Sequence, residues 1–144
     1  MKKILMIEDD KYKSDSVKDV INESNDMHET FHVKYLNPGL RELITKEYDL
    51  LILDMNMPQY EGGRIKDKLG LEALRQLKVM KKRYKHIPKI IVLSQTEDIE
   101  GLKEIVNDIV KGSRVESQLI DVMRFNPMSV EWSQNLDKHL RELC

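Results

Sequence analysis

The chain has 144 residues, of which 40% are hydrophobic and 34% are charged. This length suits one domain with a substantial core and is short for two, and the composition is that of a globular protein rather than a disordered one. Lys and Arg number 24 against 25 Asp and Glu, giving a formal net charge of -1. No overall attraction to nucleic acid or to an anionic membrane is therefore expected.

The N-terminus, the apolar runs and the single cysteine argue against a secreted, membrane-spanning or disulfide-stabilised protein. The first apolar run covers 4–7 and ends at Glu8, so it is too short for a signal peptide. No apolar stretch approaches the length of a membrane span. Cys144 is the only cysteine, so it has no partner for an intrachain disulfide. We therefore expect a protein of the reducing cytoplasm.

Strand-like and helix-like patterns alternate along the chain. The predicted elements are, in order, a strand at 4–7, a helix from Ser14 or Ser16, a more exposed strand at 30–36, a helix with its cap and first turn at 37–39, a strand at 50–53, a helix at about 71–84, a strand at 90–93, a helix through 102–109, a last strand within 118–127 and a helix from about Val130. The segment 115–123 also fits a short helix. Continuous Ile, Leu and Val runs are typical of strands buried on both faces. The alternation predicts an α/β fold with a mostly parallel sheet.

Acidic and hydroxyl side chains follow three of these strands. Glu8, Asp9 and Asp10 follow the first, Asp54 follows the strand at 50–53, and Ser94 follows the strand at 90–93. In parallel sheets, chemistry gathers at the carboxyl ends of the strands, near the point where strand order reverses. Close carboxylates repel one another unless they share a cation, and oxygen ligands favour Mg²⁺. The sequence predicts a Mg²⁺ pocket, although Asp10 also fits a simple helix cap.

These stretches resemble the receiver domain of the two-component response-regulator family. ILMIEDD resembles the first strand and acidic pair of that family, and LILDMNMP its third strand, phosphoacceptor aspartate and following Met-Pro. IIVLSQ resembles the fourth strand with its terminal hydroxyl residue, and Gly62 stands where the family usually has a glycine. The resemblance implies a flavodoxin-like fold, with a doubly wound five-stranded parallel sheet flanked by five helices.

The resemblance also implies a chemistry. Asp54 would accept a phosphoryl group from a histidine kinase, a phosphotransfer protein or a small donor. Mg²⁺ would be bound by Asp9, by Asp54, by the backbone carbonyl of Asn56 and, through water, by Glu8. Ser94 would move to hydrogen-bond a phosphoryl oxygen. Such a protein is a signalling module rather than an enzyme, and catalyses at most its own phosphorylation and dephosphorylation.

The second part of the chain departs from the family in length. The loop after the third strand, near 59–70, is enlarged, and the region before the last strand, near 111–126, is extended. The enlarged loop lies beside the expected pocket. It is either a solvated loop or a lid or partner contact that reaches the pocket.

A second departure concerns a cation. The family has Lys-Pro at the end of its fifth strand, where the ammonium pairs with the phosphoryl group. Alignment on Pro127 puts Asn126 in the place of that lysine. A short neutral amide cannot replace a cation. Arg124, Lys111 and Lys66 are candidates to supply the missing charge.

Two functions remain open. In the first, residues 1–144 form a stand-alone receiver without an output domain, phosphorylated on Asp54, which signals to a separate effector protein. The second is a pseudo-receiver that binds a partner without phosphorylation, as the missing lysine suggests. A phosphohydrolase is disfavoured because Met55-Asn56-Met57 offers no second acid after the nucleophile. We expect no nucleic-acid or membrane partner, and a monomer or weak homodimer.

Overall fold

The computed structural model describes residues 1–24, 27–79, 87–113 and 120–143. Their elements, in chain order, are β1 (Lys2–Ile7), α1 (Lys11–Glu23), β2 (His28–Val33), α2 (Leu36–Thr45), β3 (Leu50–Leu53), β4 (Met57–Pro58), β5 (Ile65–Lys66), α3 (Gly70–Val79), β6 (Lys89–Ser94), α4 (Ile99–Val110), β7 (Ile120–Arg124) and α5 (Glu131–Glu142). Five strands form one parallel sheet in the order β2-β1-β3-β6-β7, and β4 and β5 form a small antiparallel hairpin. The predicted five-stranded doubly wound fold is confirmed.

The central strands are continuous apolar runs because helices cover both faces of the sheet. Alternate side chains of each strand point to opposite faces. Leu5, Leu51 and Val92 belong to the core on the α2, α3 and α4 face. Ile4 and Ile52 belong to the second core, which α1 and α5 cover. Within the described ranges, no helix has the length and apolar composition needed to cross a membrane.

Two helices begin earlier than the sequence pattern predicted. α1 begins at Lys11 rather than near Ser14, because the Asp10 carboxylate accepts the Lys13 N–H at 3.0 Å and caps the helix. α2 begins at Leu36, so the strand predicted over 30–36 ends at Val33. The proline after Asn37 lies in the first turn of α2, where a missing N–H costs no helical hydrogen bond.

Some predictions fall partly on undescribed residues. α3 is described as far as Val79, and the remainder of the helix predicted to 84 lies outside the described residues. Residues 114–119 of the extended region near 111–126 also lie outside them. Residues 120–124 form a strand, so the alternative of a short helix is wrong there. α5 begins at Glu131, one residue after the predicted start.

The topology fixes where a ligand can bind. After β1 the chain passes to β2 on one side, and the next sheet strand, β3, lies on the other side of β1. This reversal leaves a crevice at the carboxyl ends of β1 and β3.

Candidate functional site

Strand register brings the predicted acids to one edge of the sheet. Ile7 pairs with Leu53, which in turn pairs with Val92. The backbone N–H of Asp54 donates to the carbonyl of Ile7 at 3.1 Å. Glu8 and Asp54 therefore leave adjacent strands at the same level.

Three carboxylates form a compact cluster at this edge. One oxygen each of Glu8, Asp9 and Asp54 lies within 4.8 Å of the others. Glu8 is 3% exposed and Asp54 is 9% exposed, while Asp9 is half-buried. A set made only of carboxylate oxygens fits a hard divalent cation such as Mg²⁺. Asp10 lies outside this cluster, because its side chain caps α1.

A buried lysine from α1 contacts two of these acids. The Lys13 Nζ lies 2.8 Å from Glu8 Oε1 and 2.9 Å from Asp54 Oδ1, and it also donates to the backbone carbonyl of Leu93. Lys13 is 1% exposed. These three acceptors match the three N–H groups of an ammonium, so the buried charge is fully hydrogen-bonded.

The sequence reasoning missed Lys13, although the sequence carries a signal for it. Lys13 lies four and eight residues before Val17 and Ile21, so it continues the buried stripe of α1. A lysine on the core side of a helix must find acidic partners, because an unpaired buried ammonium is very costly. The periodicity of α1 could therefore have identified it.

The environment changes the proton affinity of the acids. Removal from water raises the pKa of Glu8 to about 8, although the nearby Lys13 opposes this shift, and the charge of Asp54 adds to it. Burial also raises the pKa of Asp9, with a further contribution from Asp54. At neutral pH without a divalent cation, the cluster therefore tends to hold a proton on Glu8.

The carboxylate of Asp54 has several hydrogen-bond partners. Oδ1 accepts the Lys13 ammonium and the backbone N–H of Met55, the latter at 2.8 Å. The carboxyl group of Glu8 also hydrogen-bonds to that of Asp54. The acid cluster opens into a cleft of about 510 Å³ whose lining includes Asp9, Asn56 and Gln95. Asp54 is thus fixed by its neighbours and still lines the cleft.

The enlarged loop folds back onto the segment after Asp54. The backbone N–H of Lys68 donates to Asn56 Oδ1 at 2.9 Å, and that of Gly70 donates to the carbonyl of Met55 at 2.8 Å. Ile65 of the β4–β5 hairpin lines the acid cleft and is 64% exposed. The loop is therefore part of the wall of the cleft.

Two glycines of this loop differ in their surroundings. A Cβ at Gly70 would overlap the carbonyl oxygen of Asp54 and press on Met55, so α3 begins in direct backbone contact with the acceptor segment. Gly62 has a φ of 79° but no neighbour within 4 Å of an added Cβ. The close approach is made by Gly70, and Gly62 serves a turn.

Ser94 lies at the end of β6 and is 4% exposed. Its Oγ accepts the backbone N–H of Thr96 at 3.2 Å, which leaves the hydroxyl hydrogen free to donate. The side chain lines a second cavity of about 400 Å³ together with Asn56 and Gln95. Among the described contacts, Ser94 has none with the side chain of Asp54.

The cations proposed from sequence lie elsewhere. Arg124 and Lys111 are exposed, and the Nζ of Lys66 donates to Gln59 at 3.3 Å. Asn126 is partly exposed, and its Oδ1 accepts the backbone N–H of Met128 at 3.0 Å. Within the described contacts, none of these four candidates touches Asp54.

An aromatic ring stands at the end of β7. Phe125 is 2% exposed, and its backbone N–H donates to the carbonyl of Ser94 at 2.7 Å. Its ring centroid lies 4.8 Å from that of Trp132 and 5.9 Å from the Lys13 Nζ. Phe125 therefore places an apolar ring beside the lysine that contacts Glu8 and Asp54.

Comparison with known proteins finds the same architecture. The response regulator receiver domain model matches residues 4–113, which ends before β7 and α5. No curated protein sequence matches the chain.

Solved structures with the same fold include receivers from bacteria. The phosphorylated cyanobacterial phytochrome response regulator RcpA is 20% identical with a TM-score of 0.68, over 96% of this chain and 90% of that one. Chemotaxis protein CheY4 of Vibrio cholerae is 19% identical with a TM-score of 0.66, over 100% and 99% of the two chains. TrrA of Thermotoga maritima, in complex with Mg²⁺-BeF, is 22% identical with a TM-score of 0.63, over all of both chains. The family model and these folds together show that the chain belongs to the response regulator receiver domain family.

Proposed function

We propose that this receiver accepts a phosphoryl group on Asp54 in a Mg²⁺-dependent reaction and transmits the signal by protein–protein contact. The observation that carries the proposal is the cluster of Glu8, Asp9 and Asp54 beside a cleft that Asp9 and Asp54 line. This arrangement suits a carboxylate nucleophile beside a divalent cation.

Each residue of the site would have a separate role in metal binding or in phosphoryl transfer. Asp9 and Asp54 would bind Mg²⁺ directly, the backbone carbonyl of Asn56 would add a ligand, and Glu8 would contribute through water. The bound cation would offset the negative charge of the incoming phosphoryl group. A carboxylate oxygen of Asp54 attacks phosphorus, the bond from phosphorus to the donor breaks, and the donor leaves with that electron pair. The free hydroxyl hydrogen of Ser94 would then bond to a phosphoryl oxygen.

The partners follow from this chemistry. The donor would be a histidine kinase or a phosphotransfer protein, and the recipient of the signal would be a separate effector protein. RcpA was solved phosphorylated and TrrA with Mg²⁺-BeF, and both share this fold, which supports the same reaction here. We place the protein in the cytoplasm, where a kinase of this kind presents its phosphoryl group.

A pseudo-receiver is the second candidate, and one observation favours it. Lys13 pairs with both Glu8 and Asp54, so two of the acids have a protein partner without a metal ion. A site closed by an ion pair could serve the fold alone, and signalling would then depend on partner contact without phosphorylation.

The two candidates separate in one experiment. Incubation with Mg²⁺ and acetyl phosphate, followed by intact mass, should give a phosphoryl adduct that EDTA prevents and that Asp54→Asn abolishes. Asp10→Asn is the matched control, because asparagine caps a helix as well as aspartate does and the adduct should persist. An unmodified protein that still binds Mg²⁺ would favour the pseudo-receiver.

A further inference from the structure

We infer that Lys13 is the cation that binds the phosphoryl group on Asp54, supplied by the first helix instead of the fifth sheet strand. This inference rests on the proposed function. Lys13 would supply the positive charge that the end of β7 lacks, where the chain reads Arg124-Phe125-Asn126-Pro127.

The position of the ammonium is the first argument. The Lys13 Nζ is 2.9 Å from Asp54 Oδ1, and Asp54 lines the cleft in which a phosphoryl group would lie. Phosphorylation replaces the single charge of the carboxylate with a more highly charged acyl phosphate at the same place. A cation already within hydrogen-bond distance of Asp54 can reach a phosphoryl oxygen with a small rotation of its side chain.

The support around Lys13 is the second argument. Glu8 Oε1 at 2.8 Å and the carbonyl of Leu93 hold the ammonium from two further directions. Lys13 lies in the first turn of α1, which Asp10 caps. The cation is thus held by a rigid element and by the acid that is also expected to contact Mg²⁺ through water, so metal and ammonium can bind the phosphoryl group from different sides.

The end of β7 is the third argument. Because side chains of a strand alternate between faces, Phe125 shares with Met123 the face that α1 and α5 cover, while Arg124 shares the opposite face with Val122. The residue of this strand end that faces Lys13 is therefore an aromatic ring, 5.9 Å from its Nζ. The ring fills the space beside the ammonium and adds a favourable cation–π contact.

The alternative role of Lys13 is purely structural, neutralising acids that would otherwise repel. The two roles differ in what happens when the charge is removed. A structural lysine competes with Mg²⁺ for the same carboxylates, so its loss would not weaken the binding of an anion on Asp54 once the metal is bound. A phosphoryl-binding lysine contacts the anion itself.

The test uses beryllofluoride as the phosphoryl analogue, with Mg²⁺, followed by fluorine NMR, and measures Mg²⁺ affinity separately. In Lys13→Met, Mg²⁺ affinity should be retained or increased, while beryllofluoride affinity should fall about 10- to 100-fold, the loss expected for one hydrogen bond to a charged group. Lys18→Met removes the same charge from the same helix, at a residue outside the lining of the acid cleft, and should change neither quantity.

The outcomes are distinct. If the wild-type protein binds Mg²⁺ but not beryllofluoride, the proposed function fails and this inference falls with it. If the wild-type protein binds both and Lys13→Met binds beryllofluoride equally well, the inference alone is overturned. If Lys13→Met does not fold by circular dichroism, Lys13→Gln takes its place, since glutamine keeps a donor but not the charge, and the same loss of affinity is expected.

Discussion

The two ends of the candidate site differ in how their chemistry is supplied. At the carboxyl ends of β1 and β3, the strands themselves deliver Glu8, Asp9 and Asp54. At the carboxyl end of β7, the strand delivers a buried phenylalanine, and the cation arrives from α1 across the sheet edge. The ammonium that contacts Asp54 is therefore supplied by a helix and not by the last strand of the sheet.

The largest expected effect comes from removing Lys13. In EDTA, Lys13→Met should lower the free energy of unfolding by about 3 kcal/mol, since it leaves buried acids without their partner. Saturating Mg²⁺ should restore part of the loss, because the ion neutralises the same carboxylates. Urea denaturation measures both effects.

The matching change at the other end of the site is Arg124→Met. Arg124 is exposed, so its substitution should change stability by no more than about 0.5 kcal/mol. Equal losses in the two variants would contradict the assignment of the cation to α1.

Gly70 provides a second contrast, within the enlarged loop. Gly70→Ala should destabilise the fold by about 2–3 kcal/mol, since its Cβ would overlap the Asp54 carbonyl and the start of α3 would have to shift. Gly62→Ala adds a Cβ in open space and should cost only about 1 kcal/mol, for its positive φ. Thermal unfolding measures both losses of stability. A larger loss in Gly62→Ala than in Gly70→Ala would refute the contact between α3 and the acceptor segment.

The carboxylates at the ends of β1 and β3 should also make the free energy of unfolding depend on pH. The pKa of Glu8 is raised from 4.5 to about 8, so between these values the folded protein keeps a proton that the unfolded chain has lost. The free energy of unfolding should therefore fall as pH rises from about 5 to about 8, and level off above that. Asp9 contributes in the same direction, because its pKa is also raised.

The variant that tests this dependence is Glu8→Gln. It removes the titrating group, so the slope of stability against pH in EDTA should become shallower. Mg²⁺ affinity of the wild-type protein should increase over the same pH interval, because metal binding must displace the proton. A wild-type profile that is flat from about pH 5 to about pH 8 would be incompatible with the raised pKa of Glu8.

The smallest effect is expected at Asn126. Asn126→Lys should leave the lifetime of the Asp54 adduct and the stability nearly unchanged, because this residue bonds to its own loop and Lys13 already contacts Asp54. A clearly longer adduct lifetime, followed by intact mass, would instead restore the alignment that puts Asn126 in the place of the lysine.

Much of the fold could be predicted from the sequence, and the reasons are physical. The runs at 4–7, 50–53 and 90–93 are buried on both faces, so their composition alone marks them as central strands. The acids that follow them lie together because parallel strands end at one edge. Local spacing along the chain therefore predicted the cluster of Glu8, Asp9 and Asp54.

The lysine that contacts Asp54 was missed, although its signal lies in the buried stripe of α1 and not at a strand end. Attention to the end of the last strand led to Asn126, Arg124, Lys111 and Lys66, whereas the contact with Asp54 comes from a residue 41 positions earlier in the chain. The starts of α1 and α2 were also missed, because the apolar stripe of α1 was taken to begin after Ser14 or Ser16 and Leu36 was counted as part of a strand. For the cation and for the start of α1, a side-chain contact decided the outcome.

The most direct test of the relocated cation is a crystal structure of the protein with Mg²⁺ and beryllofluoride. The account predicts beryllofluoride on Asp54, Mg²⁺ against Asp9 and the backbone carbonyl of Asn56, and the Lys13 ammonium within hydrogen-bond distance of a fluorine atom. A structure in which Lys13 points away and another cation, such as Arg124 or Lys66, contacts the fluorine atoms would contradict it.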